Sequence, residues 1–235
     1  PKELATRIQR FLEHACSEQE HHVQEANIPI LQLLSVQLQD ELKYQFHNQE
    51  LSIHPLFCHI SWTSDITMHR LSKLAICRIR LARNDWLIHA GEVADNMYIA
   101  VSGSMSYKNI RMADNPHEVI VSKGDWICEP CLWVLWIHLG NMHATTESEI
   151  LSLDAKVFRQ VMRTNLRVWQ LTAIYAERYC SRLNSQLDFL TDVQNSTKEY
   201  WPLSKFIDNF DTNAGLRNWR HIANFSKALS RKASY

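Results

Sequence analysis

The chain has 235 residues, 46% apolar and 21% charged, with 25 Lys and Arg against 25 Asp and Glu. That length and apolar content exclude global disorder, and a formal net charge of zero gives no overall field that would draw the chain to nucleic acid or to an anionic membrane. No apolar run reaches the roughly 20 residues of a spanning helix, and the start at Pro1 without a Met leads us to expect a piece of a longer protein.

The first 52 residues read as helical. Leu4, Ile8, Phe11, Leu12 and Ala15 recur at helical spacing behind Pro1, and a polar stretch over 17–25 interrupts them. A short apolar helix around Pro29 carries Ile28, Ile30, Leu31, Leu33 and Leu34. A third helix over 36–49 puts Leu38, Leu42 and Phe46 on one face. After His54-Pro55-Leu56-Phe57, a further helix holds Ile66, Met68, Leu71, Leu74 and Ala75. From Ile76 the period becomes two, and short strand-like runs follow at 86–89, 97–102, 105–108, 119–121, 142–144 and 149–153. Turn signals at Asn84-Asp85, Gly91, Gly103, Asn115-Pro116, Gly124 and Gly140-Asn141 separate them. Strands this short and this regularly spaced predict a β-roll, barrel or sandwich. Helical spacing returns behind Asp154, an N-cap, with Val157, Phe158, Val161 and Met162. A long helix over 166–190 bears Trp169, Ala173, Ala176 and Cys180 on one stripe and Leu171, Ile174, Tyr175 and Tyr179 on the next. The tail from Ser204 is basic, with one more amphipathic stretch through Leu216, Trp219, Ile222 and Phe225.

The six cysteines are scattered and read as free thiols of a reducing compartment. Only Cys128 and Cys131 have metal-like spacing. No second pair follows, His138 and His143 are the nearest further donors, and the expectation is two packed thiols with no metal. No Ser-His-Asp order, phosphate-binding loop, dinucleotide fingerprint or His-Glu-x-x-His motif is present, so no enzyme is expected.

Several runs stand in an order that resembles cyclic-nucleotide-binding domains. They are Asn84-Asp85-Trp86-Leu87-Ile88-His89-Ala90-Gly91-Glu92, Met97-Tyr98-Ile99-Ala100-Val101-Ser102-Gly103, Gly124-Asp125-Trp126-Ile127-Cys128-Glu129, and Ala144-Thr145-Thr146 through Leu153-Asp154 to Phe158. The resemblance implies an α+β fold, an antiparallel, jelly-roll-like β-roll with flanking helices over 53–184, and a helical, basic tail over 185–235. Residues 1–52, with Pro1-Lys2-Glu3-Leu4 and the block to His54-Pro55-Leu56-Phe57, resemble the helical C-linker of voltage-gated and cyclic-nucleotide-gated cation channels. That implies a regulatory module on the cytoplasmic side of a channel, self-associating through the linker towards a homotetramer. It implies no nucleic-acid partner, and membrane contact only through segments outside this sequence.

In that family a cyclic phosphate sits on backbone N–H groups and an Arg, and a Glu holds the ribose hydroxyl. The cassette positions here are Gly124, Glu129, Cys131, His138, Leu139 and Gly140. Glu129 is kept. Cys128 stands for the family's Gly, Pro130 removes a donor, His138 stands for the Arg, Leu139 for the Ser or Thr, and Gly140 for the Ala. Losing a charge-assisted bond of about 1.5–3 kcal/mol together with a hydroxyl implies roughly a hundredfold weaker binding. The expectation is therefore a vestigial pocket with no cofactor; the alternative is a working sensor of cAMP or cGMP. Lys108 and Arg111 are candidate substitute cations, Glu129 is alternatively a turn cap, and His138 is alternatively a surface histidine. A vestigial cavity is expected to be filled, either by tail residues such as Tyr200, Trp201, Leu203, Phe206 and Phe210 folding back, or by Trp133 or Trp136.

Overall fold

The computed structural model describes residues 33–110, 118–185 and 190–194. The chain divides into two compact units, Pro1–Lys43 and Tyr44–Tyr235. The helices expected before Leu33 and beyond Ser204, together with Arg111, lie outside the described residues.

Helix α1 (Val36–Leu51) runs close to its expected bounds, but with a different face inward. Tyr44 and Leu51 are buried, while Leu38 and Phe46 are exposed. The reason is polar anchoring: the Tyr44 hydroxyl donates to Asp65, His47 Nδ1 lies 2.8 Å from Ser72 Oγ, and Glu50 pairs with Arg78 at 2.8 Å. Helix α2 (Pro55–Thr63) begins at Pro55, where a missing N–H costs nothing, and His54 Nδ1 caps it by accepting from Leu56 N at 3.2 Å. Ser64 ends α2 and caps α3 (Asp65–Leu74), accepting from Thr67 N.

Among the described residues the strands are β1 (Ile76–Leu81), β2 (Trp86–Ile88), β3 (Asn96–Ser102), β4 (Ser104–Asn109), β5 (Glu118–Ser122), β6 (Trp126–Ile127), β7 (Gly140–Ala144), β8 (Ser148–Asp154) and β9 (Val193–Gln194). They form two antiparallel sheets, one in the order β1-β8-β3-β6-β9 and one in the order β2-β7-β4-β5. Met105, Tyr107, Val121 and Met142 share one face of the second sheet and are nearly or fully buried, as are Met97, Ile99 and Ile150 of the first. This is the α+β, antiparallel β-roll with flanking helices that the sequence predicts. Six of the expected runs appear within two residues of their expected bounds. The two-residue strands β6 and β9 were not expected, because a strand that short has no period to read.

Helix α4 (Ala155–Met162) starts on the predicted cap, Asp154 accepting from Val157 N at 2.8 Å. Its Arg159 reaches back to the carbonyls of Cys131 and Leu132, at 3.0 and 3.3 Å. Helix α5 (Leu166–Ser185) is shorter than the predicted 166–190, because Leu190 already belongs to a segment that returns to the roll.

The β3–β4 turn depends on Gly103. Its φ is +81°, and a Cβ there would collide with the Glu147 carbonyl and with Ser148. Gly103→Ala is expected to lower stability by about 2–4 kcal/mol, from positive-φ strain and overpacking together, read as a shifted midpoint in chemical denaturation.

Candidate ligand pocket

Strand β6 leads into Cys128, whose backbone is left-handed at φ 62° and ψ 28°, a conformation that favours glycine. A 3₁₀ turn over Glu129–Leu132 follows, and His138, Leu139 and Gly140 then lead into β7. The end of this cassette faces the returning segment Leu190–Gln194. Asn109 Nδ2 donates to the Leu190 carbonyl at 3.0 Å, and β9 pairs with β6, Val193 opposite Ile127 and Gln194 opposite Trp126.

Asp192 lies at the centre, 0% exposed. Its Oδ2 accepts from the Leu139 backbone N–H at 2.7 Å, the Gly140 N–H at 3.1 Å and the Tyr107 hydroxyl at 2.8 Å. Its Oδ1 accepts from the Trp136 indole N–H at 2.6 Å and lies 3.8 Å from His138 Nδ1. The Asp192 carbonyl takes the Cys128 N–H at 2.7 Å. Burial first, and the adjacent Asp192 charge second, hold the Tyr107 phenol far above its ordinary range. The phenol therefore stays protonated and donates. Gly140 makes room for this arrangement: a Cβ there would overlap the Tyr107 ring and the Lys108 carbonyl.

His138 is buried, 6% exposed, so it is not a surface histidine. Its Nδ1 lies 3.2 Å from Cys128 Sγ, and its backbone is fixed by bonds to Glu92 and Gly91. Burial and Asp192 push the Cys128 thiol well up, so with no cation beside it the sulfur keeps its proton. Cys131 is also buried, and burial raises it above the ordinary thiol range against the pull of Arg159. Gly124 sits in the turn before β6, its N–H bonded to the Ala100 carbonyl. Lys108 is exposed on β4.

Glu129 is 2% exposed and engaged on both oxygens. Oε1 accepts from the Tyr175 hydroxyl at 2.8 Å and Oε2 from the Trp126 indole at 3.1 Å, with His54 Nε2 at 3.3 Å but not aligned for a hydrogen bond. These partners are side chains, so Glu129 is not a cap on a backbone turn. Trp133 packs against Phe158, Tyr175 and Tyr179 on α4 and α5, at ring distances of 5.6–6.3 Å. It does not fill the cassette. Trp136 lines it and holds the tail.

The structure thus brings Glu129, Cys131, His138, Leu139 and Gly140 to one buried end of the roll, and the returning segment joins three of them through Asp192. Sequence reasoning missed Asp192, Tyr107, His54 and Tyr175. Tyr107 was the most accessible of these, as an inward position of an alternating strand; a single Asp in a polar tail carries no signal. The expected aromatic plug residues, 200–210, lie outside the described residues.

Residues 78–165 match the family model described as the cyclic nucleotide-binding domain. No curated protein matches the chain. Among solved structures, the chain is similar to the sensor domain of the transcriptional regulator DNR from Pseudomonas aeruginosa, at 16% identity and a TM-score of 0.50, over 63% of this chain and 95% of that one. It is also similar to a cyclic nucleotide-binding-like protein from Brucella abortus, at 21% identity and TM-score 0.42, over 49% and 97%. A third is the regulatory domain of Toxoplasma gondii PKA, crystallised with cAMP, at 18% identity and TM-score 0.45, over 59% and 51%. By its sequence match over 78–165 and by its paired antiparallel sheets with flanking helices, this chain carries a domain of the cyclic nucleotide-binding family.

Proposed function

We propose that this domain is a regulatory module whose nucleotide pocket is held by its own tail, with Asp192 standing where the phosphate of a ligand would. One observation carries the reading: a fully buried carboxylate accepts from the Leu139 and Gly140 N–H groups, Tyr107 and Trp136. A carboxylate satisfies backbone donors as a phosphate does, with one negative charge and two oxygens. A cyclic nucleotide needs those same donors free. It also needs a cation, whereas the Arg position holds His138, packed on Cys128. The residue that would grip the ribose, Glu129, is committed to Tyr175 and Trp126.

The same reading places the module on the cytoplasmic side of a tetrameric voltage-gated potassium or cation channel, with the helices ahead of the roll serving as linker. The resemblance of the N-terminal block supports this, as do the apolar side chains that α1 leaves in solvent, Leu38 and Phe46. Among the described residues no helix is long and apolar enough to cross a membrane, so the proposal requires the pore to lie in segments outside this sequence.

Calorimetry is expected to find no binding of cAMP or cGMP tighter than about 100 μM. A micromolar dissociation constant for either nucleotide would restore the sensor reading. Asp192→Ala leaves four buried donors without their acceptor and is expected to lower stability by about 2–4 kcal/mol. An unchanged melting temperature for that variant would end the self-occupied reading.

Light scattering across a concentration series is expected to show self-association towards four-fold symmetry, weakened by Leu38→Glu with Phe46→Glu. A monomer at every concentration, with and without the substitutions, would remove linker-driven assembly.

A further inference from the structure

The self-occupied pocket contains a donor set that neither phosphate mimicry nor core packing uses fully. Cys128 Sγ, His138 Nδ1 and an Asp192 carboxylate oxygen all lie within 4.8 Å of one another, and all three residues are buried. We propose that these three atoms bind a zinc-class metal ion, which fastens the tail to the roll. The site takes Cys128 and His138 from the cassette and its third ligand from beyond α5, so it exists only when the tail is docked.

The separations fit an ion. Sγ to Nδ1 is 3.2 Å, Nδ1 to Oδ1 is 3.8 Å, and Sγ to Oδ1 is 4.0 Å. A point equidistant from three atoms so placed lies about 2.1 Å from each, against zinc bond lengths of roughly 2.0–2.3 Å to N, O and S. The ligands are also held in place. Oδ2 is fixed by Tyr107, Leu139 and Gly140, and Oδ1, which accepts from the Trp136 indole at 2.6 Å, has its second lone pair for the other two donors. The His138 backbone is clamped by Glu92 and Gly91, and the Cys128 N–H is bonded to the Asp192 carbonyl. Outer bonds of this kind orient metal ligands.

Charge argues the same way. Among the described residues no Lys or Arg pairs with Asp192, and a buried carboxylate without a counter-cation is costly. A divalent ion supplies the charge. On binding, the Cys128 S–H bond breaks, a sulfur–metal bond forms and the proton leaves to solvent. Thiolate with imidazole selects zinc or copper(I) over magnesium or calcium. Cys131 is not in the cluster: the pair suggested by sequence spacing is replaced by Cys128 with the distant Asp192.

The proposal rests on the docked position of Asp192, and its test separates the two ideas. The full chain is stripped with chelator and titrated with Co²⁺ alone, then with Zn²⁺ in competition. One equivalent of cobalt is expected to give a thiolate-to-metal charge-transfer band in the near ultraviolet, which zinc abolishes. Cys128→Gly suits the left-handed backbone, so its fold is spared; it is expected to lose the band and to bind at least tenfold more weakly. Cys131→Ala is expected to keep it. No band in folded wild-type protein, or a band that survives Cys128→Gly, overturns the site. If Asp192→Ala still destabilises the metal-free protein in that case, the self-occupied pocket stands without the metal.

Discussion

The buried carboxylate of Asp192 is the constraint around which the far end of the roll is organised. Four donors from three parts of the chain converge on it: Tyr107 on β4, Trp136 in the cassette, and the two N–H groups leading into β7. In a buried site each of these donors needs an acceptor. The short strand β9 and the bond from the Cys128 N–H follow from the same docking. So does the absence of a side chain at position 140, since the Tyr107 ring occupies that space.

Glu129 is a second buried carboxylate, and it does a different job. It accepts from Tyr175 on α5 and Trp126 on β6 and lies against His54 at the start of α2. Burial, with Glu129 beside it, keeps the Tyr175 phenol protonated and donating. One acidic residue thus joins the helices on both flanks of the roll to the cassette turn, and the other joins the tail to the cassette's end. A displacement of α5 relative to the roll strains the first junction directly. It reaches the second through the chain that connects them.

The parts of the fold that could be read in the sequence are those decided by neighbours in sequence. Asp154 capped its helix and the alternating runs became strands, because capping and pleating act over three or four residues; the separate helix α2 behind His54-Pro55 was not foreseen. Where distant groups decide, the sequence was silent or misleading. Leu38 and Phe46 look like a core stripe, but Tyr44, His47 and Glu50 anchor the opposite side of α1. Helical spacing continues past Ser185, yet the chain leaves the helix for partners some eighty residues upstream. For the pocket, the departures at Cys128, His138 and Leu139 could be seen as losses. What replaced them could not, since an aspartate in a polar tail looks the same docked or solvated. Gly140 is the instructive case: it reads as a lost Ala, and its meaning appears only beside the Tyr107 ring.

Only residues 186–189 separate the end of α5 from the docking segment. A ligand on so short a tether does not sample bulk solution when it leaves its site; its effective concentration there is on the order of millimolar or higher. Any diffusible anion competing for the same donors faces that local concentration whatever its own intrinsic affinity. On the self-occupied reading proposed above, occupancy of the pocket would be governed less by how much ligand surrounds the protein than by a shift of α5 or a partner that captures the tail.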